Sequence, residues 1–128
     1  MTKVSFDEVR QLWQPEDKDA LLSILNLVGD KWSQRILWVL MKQPRRFTEL
    51  LEVIPGISRR MLTHTLRQLE RDGLVSHKVR SGARSSFEYD ITPLGKTLRE
   101  PVLQLALWVG KNREEIEANR KAYDNAHN

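Results

Sequence analysis

The sequence predicts a mainly α-helical fold with a small antiparallel β-hairpin, and three observations carry that prediction. Apolar residues recur at helical spacing in successive segments from Phe6 to Val109, punctuated by capping residues, glycines and prolines. After Gly73 the period switches to strict alternation, in two short runs joined by a loop rich in serine and glycine. Between Phe47 and Gly73 two helical stripes are separated only by Pro55-Gly56, the signature of a helix, a tight turn and a second helix.

The 128 residues suit one domain with one core. The net charge is +4, but it is unevenly spread. From Lys42 to Arg84 there are ten Lys and Arg against four Asp and Glu, which leaves eleven against thirteen elsewhere. A basic central segment suits a polyanionic partner. The chain has no cysteine, which excludes disulfides, thiolate catalysis, thiol sensing and Cys-ligated zinc. His64, His77 and His127 form no ligand spacing, so no metal or other cofactor is expected. No apolar run approaches a membrane span and the first residues have no signal-peptide core, so a cytoplasmic protein is expected.

Taken in order, Ser5 and Glu8 form a capping box that opens a short helix carrying Phe6, Val9 and Trp13 before Pro15. Leu21, Ile24, Leu25 and Val28 make the stripe of a second helix closed by Gly29. Asp30 caps a third, with Trp32, Ile36, Val39 and Leu40 on one side, and Pro44 stops it. Trp32 and Trp38 read as core aromatics. Any effector pocket is expected between them and the dimer helices. Phe47, Leu50, Leu51 and Ile54 give the fourth helix.

Ser58 then caps the helix around which the chain is organised, with Ile57 and Leu62 as a hydrophobic staple and Gly73 as a left-handed stop. Leu62, Leu66 and Leu69 form its apolar face. Arg60, Thr63, His64, Arg67 and Arg71 lie opposite, a strip of donors suited to phosphates and base edges. Val75, His77 and Val79 alternate with Ser76, Lys78 and Arg80. Phe87 to Ile91 alternates to match, so the two runs form a hairpin that serves as a wing. Thr92-Pro93 opens a last helical region that Pro101 should kink or restart.

Beyond Pro101 the stripe Val102, Leu105, Ala106 and Val109 is accompanied by Leu103, Leu107 and Trp108 on another side. One helix in so small a domain cannot bury both, so Leu103, Leu107 and Trp108 are expected to pack, with Phe6, Val9 and Trp13, against a second copy of the chain. The competing reading is that the N-terminal helix covers the extra face alone. The organisation is thus a single winged helix-turn-helix domain. Its N-terminal helix spans 5–14, its core 20–92, a C-terminal helical region for dimerisation 93–118, and a frayed tail 119–128.

The expected function is sequence-specific binding of double-stranded DNA by a homodimer on a palindromic site. The helix over 58–72 would lie in the major groove, and the wing over 80–87 on flanking backbone or minor groove. Ser58, Arg59, Arg60, Thr63, His64 and Arg67 are the helix contacts. Arg60 or Arg67 is placed to bind guanine in bidentate fashion, Ser58 and Arg59 to hold a phosphate, and Thr63 to meet a thymine methyl. His64 has three readings: a DNA contact, a solvated residue, or a metal ligand, the last disfavoured by its scattered partners. On the wing, Arg84 is placed for a minor groove and Arg80 and Ser85 for phosphates, against the reading of solvated loop groups. Lys42, Arg45 and Arg46 are second-rank backbone contacts.

These residues also resemble the HxlR-type regulators, winged-helix transcription factors related to the MarR group. The similarity runs from Asp19 to Trp108. It rests on Gly29-Asp-Lys-Trp32, Pro44-Arg-Arg-Phe47 with Glu49-Leu50, Ile54-Pro-Gly-Ile-Ser58, Met61-Leu-Thr63, Leu66, Leu69-Glu70, Asp72-Gly-Leu-Val75 and Tyr89-Asp-Ile-Thr-Pro-Leu-Gly95. The resemblance implies a dimeric DNA-binding repressor or activator. Two departures stand out. Where many relatives carry a sensing cysteine this chain has Asp19, and its wing, Arg80 to Ser86, lacks the prolines common among relatives.

The alternative is a winged helix that docks on an acidic protein instead of DNA. An enzyme is not expected, because no nucleophile, base and orienting residue share a recognisable spacing and there is no glycine-rich phosphate loop. A small-molecule effector is left open.

Overall fold

Seven helices and three strands follow one another along the residues that the computed structural model describes, 3–12, 18–80 and 86–128. Helix α1 spans Phe6–Leu12, α2 Lys18–Gly29, α3 Lys31–Lys42, α4 Phe47–Val53, α5 Arg59–Arg71, α6 Pro93–Thr97 and α7 Arg99–Ala126. Strands β1 (Arg45–Arg46), β2 (Val75–Arg80) and β3 (Ser86–Ile91) form one antiparallel sheet in the order β1-β3-β2. The expected hairpin is thus a three-stranded sheet. A two-residue strand is too short to show alternation, and β1 exists through its pairing with β3, Arg45 opposite Tyr89 and Arg46 opposite Glu88.

The helix starts follow local chemistry. The Ser5–Glu8 capping box closes in both directions, Ser5 N–H to Glu8 at 2.8 Å and Glu8 N–H to Ser5 Oγ at 3.1 Å. The Asp30 carboxylate accepts from the Ser33 N–H and hydroxyl, both at 2.8 Å. Thr92 Oγ1 accepts from Gly95 N–H at 3.0 Å and donates to the Gly73 carbonyl at 2.6 Å, so one side chain caps α6 and ties it to the end of α5.

The core joins α3, α4, α5 and the sheet. Leu27, Ile36, Leu37, Leu40, Leu50, Ile54, Ile57, Leu62, Leu66, Leu69, Leu74, Val75 and Ile91 are buried together. Trp32 packs half-buried against this cluster, but Trp38 does not belong to it, being 43% exposed. Ile36, Leu37 and Leu40 occupy the inward arc of α3, and at 100° per residue position 38 turns away from that arc.

The last helical region breaks at Leu98, and Pro101 sits in the first turn of α7, where its missing N–H costs no helical bond. The tail expected to fray over 119–128 is helical up to Ala126. The turns just before that stretch carry an Arg113–Glu117 pair at 3.1 Å, and within it the Tyr123 and His127 rings stack with centroids 3.9 Å apart. Helix α7 has no buried residue along its 28 positions, and α1 has none either.

Candidate nucleic-acid interface

Helix α5 is held rigidly from behind. Leu62, Leu66 and Leu69 are buried at 0–1% exposure and Thr65 at 4%, and the Thr65 hydroxyl bonds back to the Met61 carbonyl at 2.7 Å. Ser58 Oγ accepts from Met61 N–H at 3.0 Å, and the Ile57–Leu62 staple is buried. At the other end Gly73 adopts φ 78°. Its N–H reaches the Glu70 carbonyl and the Leu74 N–H reaches Leu69, both at 2.9 Å, the pairing of a Schellman turn. Both ends of the helix are therefore fixed by bonds legible in the sequence.

The outward face carries the expected donors. Ser58, Arg59, Arg60, His64, Arg67 and Arg71 are exposed and Thr63 is half-buried. Arg60, Thr63, His64 and Arg67 share one face, whereas Arg59 turns toward α4, where its guanidinium lies 6.0 Å from the Phe47 ring centroid. His64 borders a groove of about 410 Å³ that also takes in Met61, Thr65, Gln68, Ser23 and Asn26 and the carboxylates Asp30 and Asp72. Gln68 is exposed on this side of the helix and was missed by the sequence reading, because a neutral amide between charged neighbours gives no signal.

The wing strands bring a second set of groups to the C-terminal half of α5. His77 Nδ1 lies 2.7 Å from Glu70 Oε1, and the imidazole packs edge-on against Phe87, ring centroids 4.8 Å apart. His77 pairs across the sheet with Tyr89. Burial raises the Tyr89 pKa above 10.0, the Glu70 charge raises it further, and Arg67 opposes both. Arg67, Glu70, His77 and Tyr89 therefore share one junction between helix and wing. Sequence reasoning found each residue but not the link, since a bridge between a helix and a later strand depends on tertiary packing.

On the opposite face of the sheet Glu88 is buried at 9% exposure. Arg80 Nη1 donates to Glu88 Oε2 at 2.6 Å, and Lys78 Nζ lies 3.8 Å from Oε1. Arg80 thus stands at the last pair before the tip, opposite Ser86, with its charge already matched by a carboxylate. Arg84 and Ser85 lie outside the described residues. Of the second-rank cations, Arg45 pairs with Glu49 at 3.9 Å, and the Arg46 N–H donates to Glu49 Oε1 at 3.1 Å at the start of α4.

Away from this face, four of the residues expected to meet a second copy are uncovered. Phe6 is 82% exposed, Leu107 51% and Trp108 57%. Val9 is also exposed and Leu103 half-buried, while Trp13 lies outside the described residues.

A tightly capped amphipathic helix, presented by a preceding helix and flanked by a hairpin, matches one family throughout. The HxlR-like helix-turn-helix family covers residues 27–117. The chain belongs to this family. It is 38% identical over 103 residues to YdeP of Bacillus subtilis, an uncharacterised helix-turn-helix transcriptional regulator, covering 78% of this chain and 80% of that one.

Among solved structures, the reduced form of the redox regulator HypR superposes with a TM-score of 0.66 at 34% identity, covering 77% of this chain and 98% of that one. A MarR-family transcriptional regulator from Enterococcus faecalis superposes with a TM-score of 0.66 at 28% identity, covering 84% and 96%. The protein is a helix-turn-helix transcriptional regulator of winged-helix fold. Its family implies DNA as a partner and indicates no enzymatic activity. HypR is described as a redox regulator, but these 128 residues contain no cysteine for a thiol switch. No helix among the described residues is long and apolar enough to cross a membrane.

Proposed function

We propose that the protein acts in the cytoplasm as a homodimer on a palindromic operator, with α5 in the major groove and the wing on flanking backbone or minor groove. The observation that carries the reading is the outward face of α5. Arg60, Thr63, His64 and Arg67 stand on one face of a helix whose opposite side is fully buried, with Glu70 drawn off to His77. A rigid strip of donors is what reading base edges requires, and its own carboxylates, Glu70 and Asp72, stand at the far end of the helix.

Arg60 reads base edges near the start of the helix, and Arg67 acts where helix and wing meet. Arg59, resting on Phe47, and Ser58, committed to its cap, serve the backbone. His64 is a DNA contact at the groove edge, and Thr63 meets a thymine methyl. Arg80, Arg84 and Ser85 supply the wing contact. Arg80 keeps guanidinium donors beyond the one used on Glu88, so a phosphate can share it.

The dimer follows from α7 and α1. Phe6, Val9, Leu107 and Trp108 leave large apolar surface in water, unfavourable at about 25 cal/mol per Å², and a second copy would cover it together with Leu103 and, by its place in the sequence, Trp13. Dimer symmetry then places half-sites about 34–36 Å apart or a multiple of it.

The test is selection of bound duplexes from a random pool, followed by affinity for the enriched site and for scrambled DNA across a salt series. The expected result is a palindromic site and a log–log salt slope of about −0.9 per phosphate neutralised. Arg60→Ala should lose ~1–3 kcal/mol on that site and less on scrambled DNA. If no site is enriched and neither Arg60→Ala nor Arg67→Ala weakens binding, the helix does not read DNA and an acidic protein partner takes its place.

A further inference from the structure

Beyond Val75, strand β2 leaves the body of the domain. Val75 is its one buried residue, and the five that follow are exposed. Strand β3 is anchored by β1, which pairs with it at Glu88 and Tyr89, whereas β2 is an edge strand. What ties β2 to α5 is His77, whose Nδ1 lies 2.7 Å from Glu70 Oε1. Among the described residues this is the one side-chain hydrogen bond between α5 and either wing strand. The same ring lies edge-on to Phe87 and tilted against Tyr89, with centroids 4.8 and 5.8 Å away, so it touches α5 and β3 at once. Three residues lead on from His77 to Arg80, where β2 ends. At the rise of a strand that is roughly 10 Å, so a swing of about 10° at His77 moves the end of the wing by ~2 Å, enough to break a hydrogen bond to a phosphate.

We propose that His77 and Glu70 are positioning residues for DNA binding, a proton-dependent latch that fixes the wing on α5 when the imidazole is charged and loosens it when the imidazole is neutral. Imidazole is the side chain whose charge changes between roughly pH 5 and 8. Neutral, the ring offers Glu70 an ordinary hydrogen bond that water contests, since both side chains are partly exposed. Protonated, it makes a charge-assisted bond about twice as strong. The other groups on this side of the sheet are the Glu70 carboxylate and the Arg67 guanidinium from α5, and Tyr89 from β3, which burial keeps protonated through that range. Arg67 opposes a charged ring; Glu70, in direct contact, favours it. Lys78 and Arg80 alternate to the opposite face, where they meet Glu88. Arg45, across β3 beside Tyr89, pairs with Glu49. Proton uptake at His77 is therefore felt first by its contact with Glu70. The consequence for affinity rests on the reading that the wing touches DNA.

Two measurements on the full chain test the latch. The first is affinity for the enriched duplex from about pH 5.5 to 8 at fixed ionic strength, in a His64→Gln background that removes the other imidazole on the DNA side. Binding should be ~3-fold tighter at the acid end. Adding His77→Gln or Glu70→Gln should each flatten that dependence, and the two together should flatten it no further. The second is NMR without DNA: the backbone amides of Lys78, Val79 and Arg80 should shift in step with the His77 ring as it titrates, and should lose that coupling in Glu70→Gln. A pH dependence that survives Glu70→Gln would mean that the imidazolium acts on DNA through its charge alone, and would overturn the latch. Wing amides that ignore the ring's titration would overturn it too. A duplex that the parent binds, with a pH profile unmoved by His77→Gln, removes the latch and leaves the regulator reading standing. A parent that enriches no site sinks the regulator reading instead, and the amide shifts then decide whether the latch exists.

Discussion

Replacing Gly95 by alanine adds one methyl group where the fold has no room for it. A Cβ at this position would stand 2.3 Å from the Leu74 carbonyl oxygen and 2.7 Å from Ile91 Cγ1, against an ordinary contact of 3.4 Å or more. The nearer obstacle is backbone and cannot rotate away. Helix α6 would have to retreat by about 1 Å, and the Leu74 carbonyl also accepts the Thr92 N–H at 3.0 Å, a bond that such a shift would stretch or break. Overpacking costs about 1–3 kcal/mol and the lost bond about 1 more, while alanine returns about 1 through helix propensity. The net loss is about 1–3 kcal/mol, which at a typical m-value lowers the urea midpoint by about 0.5–2 M at fixed protomer concentration. Gly110→Ala is the control, because nothing lies within 4 Å of its added Cβ; there the propensity gain stands alone and stability should rise by about 0.5–1 kcal/mol. A Gly95→Ala midpoint within about 0.3 M of the parent would refute the steric argument.

Three further outcomes follow from the same geometry. Ser58→Ala removes the acceptor for the Met61 N–H and should cost about 1 kcal/mol in urea denaturation; Ser58→Asp should recover most of it. Tyr89 keeps its proton to higher pH than a free phenol, first because it is buried and second because of Glu70. Its folded pKa exceeds the unfolded 10.0, so its contribution to stability is full below pH 10.0 and lost as pH rises from there through the folded value. Tyrosinate absorbance should therefore titrate late in the parent, and Glu70→Gln should bring that titration back toward 10.0. Leu107→Glu and Trp108→Glu place charge on the apolar face of α7 and should shift sedimentation equilibrium toward the monomer with the helical content retained; an unchanged association constant would remove α7 from the interface.

Much of this fold was legible because its signals are local. A cap needs a side chain and an N–H three residues on, so Ser5, Asp30, Ser58 and Thr92 could be read directly, and each makes the bond its position predicts. The buried stripe of α5 was legible for the same reason, since the helical period alone decides which residues share a face. What escaped the sequence depends on packing. Strand β1 is two residues long, and its existence is decided by β3 lying alongside. Trp38 is hydrophobic and helically spaced, yet the rotation of α3 around Ile36, Leu37 and Leu40 turns it outward. The charged end of α7 looked too polar for a stable helix, but side-chain pairs at i, i+4, Arg113 with Glu117 and Tyr123 with His127, act without a core.

The same division runs through the candidate interface. Which residues line the outer face of α5 follows from the period; what each is free to do follows from neighbours far along the chain. Arg60 and Arg67 look interchangeable in sequence, yet only Arg67 shares a junction with Glu70, His77 and Tyr89. Glu70 lies 2.7 Å from His77 Nδ1, on the side of the wing, and its charge acts on Tyr89. A charge-preserving change at Arg60 should therefore act mainly on base discrimination. Arg67 carries its charge close to Tyr89 of the wing, and the effect of its removal on affinity should extend to scrambled DNA. The ratio of specific to nonspecific loss for the two arginines, measured at one salt concentration, separates a base reader from a residue that supplies charge beside the wing.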